Sequence, residues 1–283
     1  MIGYDYFWIG SAVEPSSFWA CAGIDRRTWR TTDGSGGMIL RKHPWVNLVT
    51  SKENLGFAKG NNLGFKKTNP KNKYLLLLNS DAFIRKDTLI KSVKYFEENN
   101  KCDVLGCKLE NKDGKLQPSA GYLPTPLSVS LWMMGLNRFG VHPKNKGFFK
   151  KSKEVGWVTG AFIFMKREVF EKTHGFDEKL FMYMEEVEWC KRAKNLGYRI
   201  FYTPGFSITH LDKASAQGLP ENLTKVYRFE ILGLKYYLGK YYHGHLIYLL
   251  PVIKLGIVAR LIVFKFLGRE LRQKAYSQLL KEI

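Results

Sequence analysis

Cysteine is scarce in this 283-residue chain, and badly spaced for cross-linking. Cys21, Cys102, Cys107 and Cys190 are scattered, and no Cys-x-x-Cys occurs. This excludes a zinc knuckle and a disulfide-stapled scaffold, and points to a reducing, cytoplasmic setting. No basic segment followed by an apolar core and a small-residue cleavage site opens the sequence, so a secretory signal is not expected. No internal repeat is visible. A clean apolar run of membrane-spanning length is lacking as well. Leu246 to Gly268 comes nearest, but Pro251 breaks it, and Lys254, Arg260 and Lys265 lie within it. An interfacial helix whose basic residues reach the headgroups fits this stretch better than a span.

Acidic residues are the other shortage: 25 Asp+Glu stand against 45 Lys+Arg, a net charge of +20. Such an excess attracts polyanions, meaning nucleic acid, an anionic membrane surface or phosphorylated substrates. The hydrophobic fraction of 45% and charged fraction of 25% are ordinary for a globular protein, and the length allows a full core, which argues against large-scale disorder.

The pattern along the chain is that of one α/β domain. Residues 1–32 are rich in Trp, Ser, Gly and Cys and show neither strand nor helix periodicity, so no element is expected there. From Asp33-Gly34-Ser35 onward the text is regular. Helices are expected at Gly56–Lys66, Lys86–Asn99, Arg167–Thr173 and Glu185–Leu196, the last closed by Gly197. Strands are expected at Trp45–Thr50, Tyr74–Leu78, Val104–Leu109, Val158–Lys166, Arg199–Tyr202 and Ser207–His210. Asp113-Gly114 reads as a hairpin turn, and residues 119–153 as a long loop with a short helix near Ser128–Met134. The expected division is an atypical segment 1–32, an α/β domain 33–222, and a basic, amphipathic, membrane-associating helical tail 223–283. Within the tail, Lys235 to Tyr242 interleaves lysine with tyrosine, a composition that suits a lipid interface or nucleic acid equally.

Three sets of residues carry candidate chemistry. Asn79-Ser80-Asp81 follows five apolar residues, and the C-terminal end of a buried strand is where open α/β sheets place ligands. An acid there can hold Mg²⁺ or Mn²⁺ on a diphosphate, or simply serve a turn. Glu185-Glu186 opens a helix, where carboxylates are favoured by the dipole and where one could act as a general base. His210 ends a strand and is either a metal ligand or a structural imidazole. The Gly/Asn-rich entry Asn54-Leu55-Gly56-Phe57-Ala58 to Asn62 allows close backbone approach to a ligand.

In order, these motifs resemble one family. Asn-Leu-Gly-Phe-Ala-x-Gly-Asn-Asn, the apolar strand with Asn-Ser-Asp, Gly-Ala-Phe, Gly-Phe-Asp-Glu, Glu-Glu-Val-Glu-x-Cys-x-Arg, Gly-Tyr-Arg and Thr-His together resemble the family 2 glycosyltransferases over roughly residues 33–212. The rhamnosyltransferase type that builds bacterial surface polysaccharides is the nearest in pattern. The resemblance implies a GT-A fold, a nucleotide-diphosphate-sugar donor, a divalent metal, a glycan or lipid-linked acceptor, and inversion at the anomeric carbon. It places metal binding on Asp81 and His210, with Asn79 standing where a first Asp is usual. It makes Glu186 the catalytic base, with Glu185 as fallback, and sets Asn54, Gly56 and Asn62, with Asn79 and Asp81, along the nucleotide. Gly160 and Ala161 fall beside the sugar and acceptor. The basic tail then favours a location on the inner face of the cell membrane, and the acidic cluster at 185–188 argues against a nucleic-acid partner; the alternative is a catalytically inactive remnant of the family or a non-catalytic protein binding a membrane surface or polyanion. The family's buried first strand is not legible before residue 30, so a truncated or frame-shifted N-terminus is the expectation there.

Overall fold

The structure, a computed structural model, describes residues 7–10, 22–25, 35–51, 55–79, 81–136, 149–211 and 220–282. The first elements are β1 (Phe7–Gly10), β2 (Ala22–Asp25), α1 (Ser35–Lys42), β3 (Leu48–Ser51), α2 (Gly56–Phe65), β4 (Tyr74–Asn79) and β5 (Ala82–Phe83). Next come α3 (Thr88–Glu98), β6 (Val104–Glu110), β7 (Leu116–Gln117), β8 (Ala120–Gly121), α4 (Pro126–Met133), β9 (Lys153–Glu154), β10 (Trp157–Val158) and β11 (Phe162–Lys166). The chain continues through α5 (Arg167–Lys172), α6 (Glu185–Asn195), β12 (Ile200–His210), α7 (Pro220–Tyr241), α8 (Leu246–Phe266) and α9 (Glu270–Glu282).

The main sheet runs β1-β4-β11-β6-β12-β5, with β7 on β6 and β9 on β12. β6 and β12 are parallel, and β11 lies antiparallel to both β4 and β6, so the sheet is mixed. The apolar run of β4 is explained by this position, because a strand covered on both faces needs no polar alternation. Its side chains alternate between two cores. Leu76 joins Tyr74, Phe96, Leu105, Phe162 and Phe164 under α3. Leu75 and Leu77 join Ile163, Met165, Phe170 and Trp189 beneath α2, α5 and α6. The result is a mixed sheet flanked by helices, the α/β class expected from the sequence.

Four expectations are corrected. Residues 1–32 do contain strands: β1 pairs antiparallel with β4, Phe7 opposite Asn79, and β2 pairs parallel with β3. Backbone hydrogen bonding along a ready sheet edge supplies order that side-chain periodicity did not announce. The strand expected over Val158–Lys166 is two strands, with Gly160-Ala161 in the turn between them. The two strands expected over 199–210 are one, β12, whose register on β6 shifts between Thr203 and Ser207, where Pro204-Gly205 interrupt regular pairing. Pro251 lies inside α8 without ending it. The helical stretch His243–Phe266 is therefore long and apolar enough to cross a membrane, although 22% of its most apolar window is buried in the protein.

The packing does not stop at residue 222. Ile231, Leu234, Tyr237 and Leu238 of α7, Leu249, Ile253 and Ile257 of α8, and Leu279 of α9 belong to the same core as Trp189 and Met184. Arg260 of α8 donates to the carbonyls of Trp132 (2.7 Å) and Met133 (3.0 Å) and lies over the Trp132 ring. It thereby adds donors at the C-terminal end of α4, where the Trp132 carbonyl also accepts from Gly135 N at 3.1 Å.

Candidate active site

β5 pairs antiparallel with the end of β12, His210 opposite Ala82 and Thr209 opposite Phe83. That register sets Asp81 beside His210, although 129 positions separate them, with Oδ1 and Nε2 3.2 Å apart. Asn79, the last residue of β4, brings its Nδ2 to 3.4 Å from the same nitrogen. Its Oδ1 is buried and has no hydrogen-bond partner among the described residues. Asp81 Oδ1 and the Asn79 amide group thus both approach His210 Nε2 at the C-terminal end of the sheet, and the amide oxygen of Asn79 is buried there without a donor. This donor set suits a hard divalent cation, and a buried acceptor left without a donor is costly unless something positive completes it. Among the described residues no third His, Cys, Asp or Glu joins Asp81 and His210.

One residue of this cluster was missed in the sequence. Gln117 of β7 donates from Nε2 to the His210 carbonyl (2.8 Å), and its Oε1 lies 2.9 Å from His210 Nδ1. A lone glutamine in a short strand carries no motif. Only the β6–β7 hairpin, Leu109 opposite Gln117, delivers it.

The second centre is the start of α6. Glu185 is 4% exposed, and its Oε2 has no hydrogen-bond partner among the described residues. Burial first, and then the charge of Glu186, hold the Glu185 carboxyl well above the usual carboxylate range, against the pull of hydrogen bonds from the Glu185 and Tyr183 backbone. Glu186 is half-buried. Glu188 points elsewhere: fully buried, it accepts from Arg192 Nε (2.8 Å), Lys240 Nζ (2.8 Å) and Tyr241 OH (2.8 Å). It is a structural ion-pair residue.

The turn into α6 is strained. Tyr183 and Met184 have φ of 66° and 73°, each costing on the order of 1–3 kcal/mol for a residue with a side chain. Two helices clamp it. Phe57 N of α2 donates to Phe181 O at 2.9 Å, and Gly56 (φ 66°) permits the approach, since a Cβ there would lie 2.2 Å from that oxygen. On the other side Gly233 of α7 lies against the turn, where a Cβ would sit 3.0 Å from both Met184 Cβ and Tyr183 O. The Phe229 ring meets Phe181 at 5.3 Å.

The remaining expected residues divide. Asn54 lies outside the described residues. The Asn62 amide is engaged within the protein: Oδ1 accepts from Phe176 N (2.8 Å), and Nδ2 donates to Phe176 O (3.0 Å) and Glu178 Oε1 (3.0 Å). It therefore braces the Gly175-Phe176 turn, and its polar atoms are turned to protein. Gly160 is packed on the Phe57 ring, which would lie 2.6 Å from any Cβ, and Ala161 is buried next to it, its carbonyl accepting from Asn79 N at 3.2 Å. The lysine–tyrosine run of α7 is likewise spent internally. Tyr236 OH and Lys240 Nζ each donate to Asp177 Oδ2 at 2.7 Å.

Comparison with known proteins places the chain in one class. The profile of glycosyltransferase-like family 2 matches residues 38–227. The chain belongs to that family. Rhamnosyltransferase WbbL of Escherichia coli (strain K12) is 27% identical over 162 residues, covering 55% of this chain and 60% of the relative. The N-acetylglucosaminyl-diphospho-decaprenol L-rhamnosyltransferase of Mycobacterium tuberculosis (strain CDC 1551 / Oshkosh) is 23% identical over 202 residues, covering 66% of each. The chain thus spans 60 to 66% of the length of these relatives. Among solved structures, a mannosyltransferase of Pyrobaculum calidifontis in complex with GDP-Man and Mn²⁺ is similar at a TM-score of 0.44 and 14% identity, covering 89% of this chain and 74% of that one.

Proposed function

We propose that the chain transfers a sugar, rhamnose or a similar hexose, from a nucleotide-diphosphate donor to a glycan or lipid-linked acceptor with inversion, in the synthesis of a bacterial surface polysaccharide. Family membership over residues 38–227 carries this reading. The names of the relatives support a rhamnosyl donor and, for one of them, a polyprenol-diphosphate-linked acceptor. Asp81, the His210 imidazole and the Asn79 amide oxygen would hold a divalent cation, Mg²⁺ or Mn²⁺. When bound, such a cation offsets the charge of a departing diphosphate.

At the other centre Glu186 accepts the proton of the acceptor hydroxyl as that oxygen attacks the anomeric carbon, in a single displacement that inverts it. The choice between the two glutamates follows from burial. Desolvation first, and then its neighbour's charge, raise the Glu185 pKa well above the usual carboxylate range, whereas Glu186 is only half-buried and is the better placed of the two to serve as base. Held on a strained turn between α2 and α7, that carboxylate has little freedom to drift from its target. Glu186→Gln keeps the shape and removes the basicity. Transfer from a nucleotide-sugar should fall at least ~10²-fold, the usual contribution of a general base, while donor binding remains. Near-normal turnover of Glu186→Gln contradicts the assignment.

The same reading places the protein on the inner face of the cell membrane, through α8. Tyr248, Pro251, Leu255, Ala259, Ile262 and Phe266 are exposed, and their i+3 and i+4 spacing forms one apolar stripe opposite the buried Leu249, Ile253 and Ile257. Lys254 and Lys265 within α8, and Arg269, Arg272 and Lys274 beyond it, are exposed as well. An apolar stripe accompanied by cations suits an anionic bilayer surface.

A further inference from the structure

The Gln117 side chain makes two contacts to one residue, and together they determine a proton's position. The His210 carbonyl oxygen only accepts hydrogen bonds, so the Gln117 atom 2.8 Å from it must be the amide nitrogen. The amide oxygen is then the atom 2.9 Å from His210 Nδ1. That oxygen cannot donate, so Nδ1 must carry hydrogen. In the neutral ring the lone pair is left on Nε2, the nitrogen that faces Asp81 Oδ1 and Asn79. No flip of the glutamine amide satisfies both contacts, so the assignment does not depend on telling oxygen from nitrogen by eye.

We propose that Gln117 is the positioning residue of the cation site, holding His210 as the Nδ1–H tautomer with its Nε2 lone pair aimed at the Asp81–Asn79 side. The inference rests on the cation reading given above and adds to it the group that makes His210 competent as a ligand. Ligating histidines characteristically donate their second N–H to a neighbouring acceptor, which fixes both tautomer and ring orientation. A side-chain amide serves this purpose here, anchored to the backbone of the residue it orients. β7 is only two residues long, and this double contact gives its sequence a role beyond pairing with β6.

The test uses the full chain and two substitutions. Gln117→Leu keeps the approximate volume and loses both contacts; Gln117→Glu keeps an acceptor for Nδ1–H. The first readout needs no metal: ¹⁵N-labelled histidine NMR above the pH of imidazole titration, with the His210 signals assigned by their loss in His210→Asn. Wild type and Gln117→Glu should show Nδ1–H, and Gln117→Leu a shift of population toward Nε2–H. The second readout is Mn²⁺ affinity from titration with MnCl₂ alone, following free Mn²⁺ by electron paramagnetic resonance. Gln117→Leu should bind about 10–100-fold more weakly, the usual effect of losing such a partner, and Gln117→Glu within a few-fold of wild type. An Nε2–H tautomer in the wild type, or an unchanged tautomer and affinity in Gln117→Leu, overturns the proposal. If Asp81→Asn and His210→Asn weaken Mn²⁺ binding while Gln117→Leu does not, the inference alone fails. If neither Asp81→Asn nor His210→Asn changes it, the cation reading fails and the inference with it.

Discussion

Glu185 and Glu186 are adjacent, share a helix start and differ in what surrounds them. Their sequence position marked both as candidates, but the division of labour was not legible, because it depends on which carboxylate the core covers. Burial of Glu185 has a consequence for stability. Its native pKa lies well above the unfolded value near 4.3, so the folded state binds the proton more tightly. The stabilising effect of that proton is complete below about pH 4 and is lost as pH rises through the native pKa. Glu185→Gln removes this dependence. Chemical denaturation should find the variant close to wild type at pH 4 and increasingly more stable than wild type as pH rises toward 8. A variant with the same pH slope as wild type contradicts the placement of Glu185. Asp81 and His210 were legible as candidate ligands from their strand ends. Gln117 was not, since the contact that matters is made by a hairpin whose partner lies 93 positions away.

At the scale of elements, the acid-bearing turn is held by glycines as much as by carboxylates. Gly56 looked like an opening that lets backbone approach a nucleotide. In the structure its missing side chain admits the carbonyl of Phe181, at a positive φ that a side chain strains. Gly56→Ala should therefore destabilise the fold by roughly 1–3 kcal/mol and lower the turnover rate, because the displaced Phe181 segment leads directly into Glu186. Thermal unfolding and steady-state kinetics on one preparation test this, and an unchanged melting temperature contradicts the close approach. Most element types were readable where periodicity was strong, as in the buried β4 and the amphipathic α3. β1 and β2 were not, because what orders them is pairing to β4 and β3, a long-range event with no local signature. Asn62 makes the same point, since its bonds to Phe176 and Glu178 reach 114 and 116 residues along the chain.

For the whole molecule, the helices after residue 222 do two things that composition alone had merged into one. α7 turns Phe229, Gly233, Tyr236 and Lys240 toward the acid turn and its flanking carboxylates, whereas α8 presents an exposed apolar stripe. The charge excess was legible from the first count; that Lys240 serves Asp177 and Glu188 was not. The stripe gives a separable prediction. Wild-type protein should co-sediment with phosphatidylglycerol-containing vesicles and less so as salt rises, through screening of its basic residues. The double substitution Ile262→Glu and Phe266→Glu should abolish sedimentation without changing the melting temperature, since both side chains are more than half exposed. Full vesicle binding by that variant removes α8 from the membrane assignment.

One edge of this fold is proposed to hold a cation for the donor diphosphate, and a separate carboxylate to perform the proton transfer. Thermal shift with a panel of nucleotide-sugars, with and without Mn²⁺ or Mg²⁺, separates the two most directly. A matching donor near 100 times its dissociation constant adds about 2.7 kcal/mol. This stabilisation should require the metal, disappear in Asp81→Asn and persist in Glu186→Gln. Stabilisation that is indifferent to metal, or lost equally in both variants, contradicts that proposal.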